Sequence, residues 1–199
     1  NGSITSKNEE DIKKILDIAK QYDAAVNLDT YMYPASRERN KPFDEQSRMN
    51  PKDAAMAKVL IYKYQMGDIA FEEYRRAIIN TIEQYIPENY GYERHISCLA
   101  GNCSFTINWQ GMIRPCVMQS MPQGNVFDKG FLQGWETISN ETKKILINEA
   151  CVSCRYRPIC NTCAAAALLE TGNYDGIPEY ICEYTKEFYR IMKEGARIC

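Results

Sequence analysis

The stretch Cys151-Val-Ser-Cys154-Arg-Tyr-Arg-Pro-Ile-Cys160-Asn-Thr-Cys163 packs four thiols into thirteen residues. Outward from it, Cys98, Cys103 and Cys116 precede and Cys182 follows, making an ordered series of eight. Eight thiols divide into two tetrathiolate sites, and both tetrahedral zinc and cubane iron–sulfur clusters use sets of four cysteines. A Cys-x-x-Cys pair puts two sulfurs on one turn, and a distant cysteine closes the site. Zinc ribbons favour two close pairs held well apart, whereas five residues separate Cys154 from Cys160. His95 is the only histidine, which weakens mixed Cys/His zinc readings.

Composition narrows the compartment and the partners. The 199 residues suit one large domain or two small ones, and 45% apolar content is enough to build a core. Net charge is −2, with Lys and Arg scattered, so the footprint expected for nucleic acid or an anionic membrane is missing. No apolar run approaches the ~18 residues of a membrane span. Asn1-Gly2-Ser3-Ile4-Thr5 lacks the basic and apolar regions of a signal peptide. The expectation is a cytoplasmic protein, whose thiols serve metals or catalysis rather than disulfides. Nine cysteines in 199 residues also fall below the ~8–10% of a disulfide scaffold. All nine lie in residues 98–199.

Periodicity predicts an α+β, helix-rich chain. Ser6-Lys7-Asn8-Glu9 has capping-box form, with Asn8 a competing cap, before a helix running to Tyr22. Residues 24–31 read as a strand, with no strand preceding the helix. Residues 34–50 read as a loop. Asn50-Pro51 is a helix start, and helices over 51–66 and 69–85 flank Gly67-Asp68. A domain boundary falls near 86–95, dividing residues 1–90 from 91–199. Residues 104–108 and 112–115 form a hairpin around Gly111 that delivers Cys116. A short helix is expected over 139–149, another over 164–171 ended by Gly172, and a last one over 183–193, opened by Cys182.

The pattern Cys98-x12-Gly111-x4-Cys116, Cys151-x2-Cys154-x5-Cys160-x2-Cys163, then Cys182 resembles the SPASM domain. That domain is the auxiliary-cluster extension of radical S-adenosylmethionine enzymes, among them peptide- and protein-modifying members such as anaerobic sulfatase-maturating enzymes. The family usually has three residues in its last close pair, where this chain has Asn161-Thr162. Cys98-Leu-Ala-Gly101 and Gly124-Asn125-Val126 before Trp135 agree with the family's texture, and the likeness covers residues 98–190. It implies that Cys98, Cys103, Cys116 and Cys163 ligate one auxiliary [4Fe–4S] cluster, and Cys151, Cys154, Cys160 and Cys182 a second. The competing reading of Cys103 is a buried free thiol.

The resemblance also implies that residues 3–33 are the last helix and strand of a partial (β/α) barrel. The barrel's Cys-x3-Cys-x2-Cys motif is absent, so a third cluster and S-adenosylmethionine would belong to the full-length enzyme only. The chain alone is then not competent for reductive cleavage. The implied role is electron transfer and substrate positioning for a peptide or protein substrate, with a flavodoxin or ferredoxin as redox partner. A zinc-binding structural or interaction module and a stand-alone ferredoxin-like carrier are the alternatives.

Lesser candidates surround this core. Arg114, Arg155 and Arg157 stand near ligand cysteines and either tune the clusters or are ordinary surface charge. His95 reads as a surface or capping residue, and Cys199 as an incidental thiol. Tyr31, Tyr33 and Arg37 follow the barrel-like strand, where substrate or cofactor contacts are placed. Phe105, Trp109 and Trp135 are expected to pack around the clusters.

Overall fold

The computed structural model describes residues 1–32, 47–91, 93–96, 98–160 and 162–195; Tyr33, Arg37 and Cys199 lie outside them. The chain opens with a strand that the sequence does not announce. β1 (Gly2–Ser3) pairs in parallel with β2 (Leu28–Asp29), Gly2 opposite Leu28, and α1 (Ile12–Gln21) makes the crossover between them. The expectation of a helix without a preceding strand is therefore corrected to a β-α-β unit. Two-residue strands are too short for alternation to be read. Ile4, Ile12 and Leu28 are buried against Ala54, Ala57 and Ile61.

The capping box does not form. Asn8 Oδ1 accepts instead from the Thr5 N–H at 2.7 Å, and Ser6 Oγ donates to the Ser47 carbonyl at 3.2 Å. A 3-10 turn (Glu9–Asp11) then leads into α1. A short carboxamide that finds a local backbone donor competes with the helix in this way.

α2 (Pro51–Glu83) begins as expected, with Asn50 Oδ1 accepting from the Asp53 N–H at 2.9 Å and Pro51 in the first turn. It bends at Gly67, whose φ of 76° and ψ of 167° leave the helical region and separate two helical segments. Ala55, Val59 and Phe71 of α2 pack on Phe188, Ile191 and Met192 of α7 (Glu179–Glu194). Thus α2, before the sequence boundary near 86–95, shares a core with the last helix of the cysteine-rich part.

In that part, β3 (Thr106–Ile107) and β4 (Met112–Arg114) form the expected hairpin, with Thr106 opposite Arg114. Asn108 Oδ1 closes the turn by accepting from the N–H groups of Gln110 and Met112 at 3.0 and 2.9 Å. β5 (Gly124–Asn125) adds a third antiparallel strand. α3 (Val126–Lys129) and α4 (Phe131–Thr142) follow, then α5 (Glu149–Val152) and α6 (Ala164–Thr171).

The helix expected over 139–149 is not continuous. The chain leaves α4 and runs extended, with Ile145 and Ile147 buried and Leu146 partly exposed between them. The Ile147 N–H donates to the Arg94 carbonyl at 2.7 Å, and Arg94 Nε to the Ile147 carbonyl at 3.0 Å. That alternation is the strand period, hidden between two helical stretches. Among the described residues, no helix is long and apolar enough to cross a membrane.

One polar cluster ties the first unit to the last helices. Arg48 Nη2 donates to Glu170 Oε1 at 2.7 Å, Tyr31 Oη donates to the same oxygen at 3.0 Å, and the guanidinium carbon lies 3.5 Å from the Tyr180 ring centroid. The Arg48 and Glu170 side chains are only 10% and 11% exposed. Breaking a buried ion pair by removing one partner costs about 3–5 kcal/mol. Glu170→Ala is expected to lower the unfolding free energy from chemical denaturation by a corresponding amount, and Arg48→Met/Glu170→Leu to recover much of the loss. Equal loss in the single and double variants would show that the pair contributes through shape rather than charge.

Candidate metal centre

The first three cysteines are placed by a tight loop and by the hairpin. Residues 98–104 close on themselves: the N–H groups of Asn102, Cys103 and Ser104 all donate to the Leu99 carbonyl at 3.0 Å, and Asn102 Nδ2 donates to the Cys98 carbonyl. Gly101, at φ 67°, lets this loop lie against α4, since a Cβ there would stand 2.5 Å from Thr142 Oγ1. Cys116 follows β4 and the buried Pro115. Cys163 caps α6, whose first four alanines are buried. Cys98 and Cys103 are exposed, and Cys116 and Cys163 half-buried.

The remaining four come from short helices. Cys151 lies in α5 and Cys154 just beyond it; the Arg157–Ile159 turn then presents Cys160. Cys182 was expected to open the last helix, but α7 starts at Glu179 after Pro178. Its thiol therefore projects from within the first turn, where its N–H donates to the Pro178 carbonyl at 3.2 Å. All four are half-buried.

The thiols feel one another in two groups. Burial raises the Cys116 thiol; the N–H groups of Met118 and Gln119 oppose that, while Cys163 and Cys98 add to it. Burial also raises Cys151, reinforced by Cys160 and Cys154, against the Arg157 charge. Cys182 is pushed up to about 11 by burial, then by Cys160, Cys151 and Cys154, with Lys186 opposing. The structure thus brings Cys98 and Cys163 within reach of Cys116, and separately Cys154 and Cys160 within reach of both Cys151 and Cys182. Cys103 shares the loop of Cys98 but does not figure among the influences on Cys116.

Among the described residues, no three His, Cys, Asp or Glu side chains converge on a point that would hold one metal ion. A [4Fe–4S] cluster makes a different demand, since its four thiolates bind four different irons. Soft donors gathered in a group of three and a group of four, most of them half-buried and with opposing backbone N–H groups and cations nearby, fit such a group.

The neighbours of the thiols divide by role. Arg157 is buried, its N–H donates to the Cys154 carbonyl at 2.9 Å, and its charge acts on Cys151. Arg155 lies 5.4 Å from the Tyr156 ring. Arg114 ends β4, two residues before Cys116. His95 Nδ1 meets the Lys143 carbonyl at 3.0 Å, at the end of α4, which is a capping role. Phe105 packs on Phe131 and Trp135 with centroids 5.2 and 5.7 Å apart. Trp109 instead stands at the hairpin tip, 88% exposed, so its expected packing role is corrected: the turn carries it away from the core. Tyr31 commits its hydroxyl to Glu170. Tyr174, unremarked in the sequence, lies where Cys116 and Gln119 influence its hydroxyl; no local pattern marks such a contact.

No family model and no solved structure matches the chain. It is 24% identical over 189 residues to the AdoMet-dependent heme synthase of Methanosarcina barkeri (strain Fusaro / DSM 804), covering 87% of this chain and 52% of that protein. The chain therefore spans about half the length of this relative. The similarity supports a relation to radical S-adenosylmethionine enzymes.

The raised thiols have a consequence for the metal-free protein. Cys182 holds its proton to about pH 11 when folded against an ordinary value of 9.0, so above pH 9 the unfolded chain binds fewer protons. Stability conferred by the neutral thiol is full below pH 9 and declines as pH rises toward 11. Melting of the metal-free protein should fall over that window more steeply than in Cys182→Ser. Parallel slopes would remove the thiol from the explanation.

Proposed function

We propose that the chain carries two auxiliary [4Fe–4S] clusters in a radical S-adenosylmethionine enzyme, in a SPASM-type domain following the end of a partial (β/α) barrel. The observation that supports this best is the segregation of seven of the eight thiols into a group of three and a group of four. Cys98, Cys103, Cys116 and Cys163 would hold one cluster; Cys151, Cys154, Cys160 and Cys182 would hold the other.

The clusters, when bound, supply one-electron chemistry beside the reaction of the full enzyme. The chain's own residues ligate, bury and hold fixed distances. Arg157 places positive charge beside the second group, and the N–H groups of Met118 and Gln119 face the Cys116 sulfur. Hydrogen bonds, charge and exposure of this kind are what set a cluster's potential. A flavodoxin- or ferredoxin-like protein is the proposed electron partner.

For the substrate, the resemblance to SPASM-containing enzymes implies a peptide or protein. The name of the Methanosarcina relative favours a second reading, a tetrapyrrole on the way to heme. Mass analysis of products made by the full-length enzyme from each substrate class separates the two.

Anaerobic reconstitution tests the cluster assignment directly. Roughly eight iron and eight sulfide per chain, with broad absorbance near ~400 nm, are expected. Cys154→Ala should lose about half of both while the protein stays folded. Two zinc per chain in a colourless anaerobic preparation would overturn the reading, and unchanged iron in the variant would overturn the ligand sets.

A further inference from the structure

We propose that the cleft between α2, α7 and the Arg157–Ile159 turn binds a small planar aromatic acid. The cleft has a volume of about 400 Å³, within the ~300–1,000 Å³ usual for small-molecule sites. It lies where the end of β2 meets α2 and α7, and its lining mixes aromatic rings and aliphatic side chains with a few convergent polar groups.

The aromatic part is already ordered. Tyr62 meets Tyr74 edge-on at 5.3 Å and Phe188 at 6.2 Å, with interplanar angles of 75° and 81°. Rings held perpendicular to one another present both faces and edges, the surfaces on which a flat guest stacks. Ile78 and Ile159 complete an apolar lining. A guest meeting these groups encounters little loss of side-chain freedom, because the rings are held by one another.

The polar part selects the charge of the guest. Lys58, its side chain only 15% exposed, lines the cleft. Its Nζ donates to the Leu28 carbonyl at 3.0 Å, with Asp29 Oδ1 at 3.8 Å, beyond hydrogen-bond length. Asp29, which also lines the cleft, is 55% exposed and shares the ammonium only at this longer ion-pair distance. An ammonium has three protons to donate, so Lys58 retains capacity for an anion. The phenols are neutral at physiological pH, with Tyr62 and Tyr74 hydrogen-bonded to one another and Tyr184 Oη 3.4 Å from Thr30 Oγ1, so they add no negative charge to the cleft. A carboxylate on a flat ring satisfies the ammonium while the ring occupies the aromatic frame.

The site adjoins the second thiol group through the backbone. Ile159 and Ile181, both lining the cleft, immediately precede Cys160 and Cys182. A bound acid therefore touches the segments that present two of those thiols. The inference stands on the cleft alone and holds whichever metal the thiols take.

The probe is 2-naphthoate, titrated by fluorescence into the metal-loaded protein, with neutral 2-naphthalenemethanol alongside. Saturable binding of one naphthoate per chain is expected. Lys58→Met should weaken naphthoate at least about tenfold and leave the alcohol unchanged. Ile78→Trp, which fills the cleft from α2, should remove both. Absence of saturable naphthoate binding, equal naphthoate affinity in Lys58→Met, or binding retained in Ile78→Trp would each overturn the proposal. Circular dichroism on both variants establishes that they fold; if Lys58→Met does not, the Ile78→Trp result decides.

Discussion

The packing of α2 on α7 is the constraint from which the rest follows. Val59 and Phe71 from one helix meet Phe188, Ile191 and Met192 from the other, and each large side chain buried this way contributes about 1.5–3 kcal/mol. The buried face of α7 runs through Ile181, Thr185, Phe188 and Met192, at helical spacing. Cys182 stands beside the first of these, so its position is inherited from the helix pair. Ile159 packs against the same core, which fixes the turn that presents Cys160. Arg75 Nη1 donates to the Met192 carbonyl at 2.7 Å and Lys193 pairs with Glu83 at 2.8 Å, pinning the far ends of both helices.

A second constraint joins this helix pair to the other thiol group. α6 carries Cys163 at its start and Glu170 near its end, and Glu170 is held by Arg48 and Tyr31 from the first unit. Four consecutive buried alanines let α6 approach its neighbours closely, since no side chain there extends past a methyl. Direction matters here. The carboxylate fixes one end of a rigid eight-residue helix, and the cysteine rides on the other. A charge cluster at the join of the two parts thus holds the helix that carries Cys163.

What the sequence disclosed was local, and what it concealed depended on partners. Asn50-Pro51 announces a helix because cap and proline act within one turn; Gly67 and Gly172 mark their breaks for the same reason. The Gly2–Ser3 strand exists only because Leu28–Asp29 lies beside it, and Ile145–Ile147 is extended only because Arg94 offers its backbone. α7 begins three residues before Cys182 because Pro178 turns the chain there, although the cysteine looked like its first marker. For the candidate site, spacing identified the eight thiols, but spacing alone does not say which four belong together. The grouping of three and four thiols comes from the influences that Cys116, Cys151 and Cys182 feel, which join thiols far apart in sequence. Cys103 is the one member whose partner thiols the tertiary arrangement does not single out.

The two groups differ in a way that bears on their chemistry. The first includes the exposed Cys98, on a loop it shares with Cys103 and whose approach to α4 depends on Gly101 having no side chain. The second lies against the α2–α7 core; burial and neighbouring sulfurs oppose ionisation of Cys151 and Cys182 there, as they do of Cys116 in the first. Thiolate is the form that binds metal, so each proton on the second group must leave as metal enters. In the proposed reading, iron would supply the positive charge that makes four close thiolates tolerable in a half-dry setting. Burial therefore costs the empty site ionisation and strengthens the attraction within the filled one, because charges interact more strongly where water is excluded. The same packing that positions Cys182 thus also ties its ionisation to the α2–α7 core.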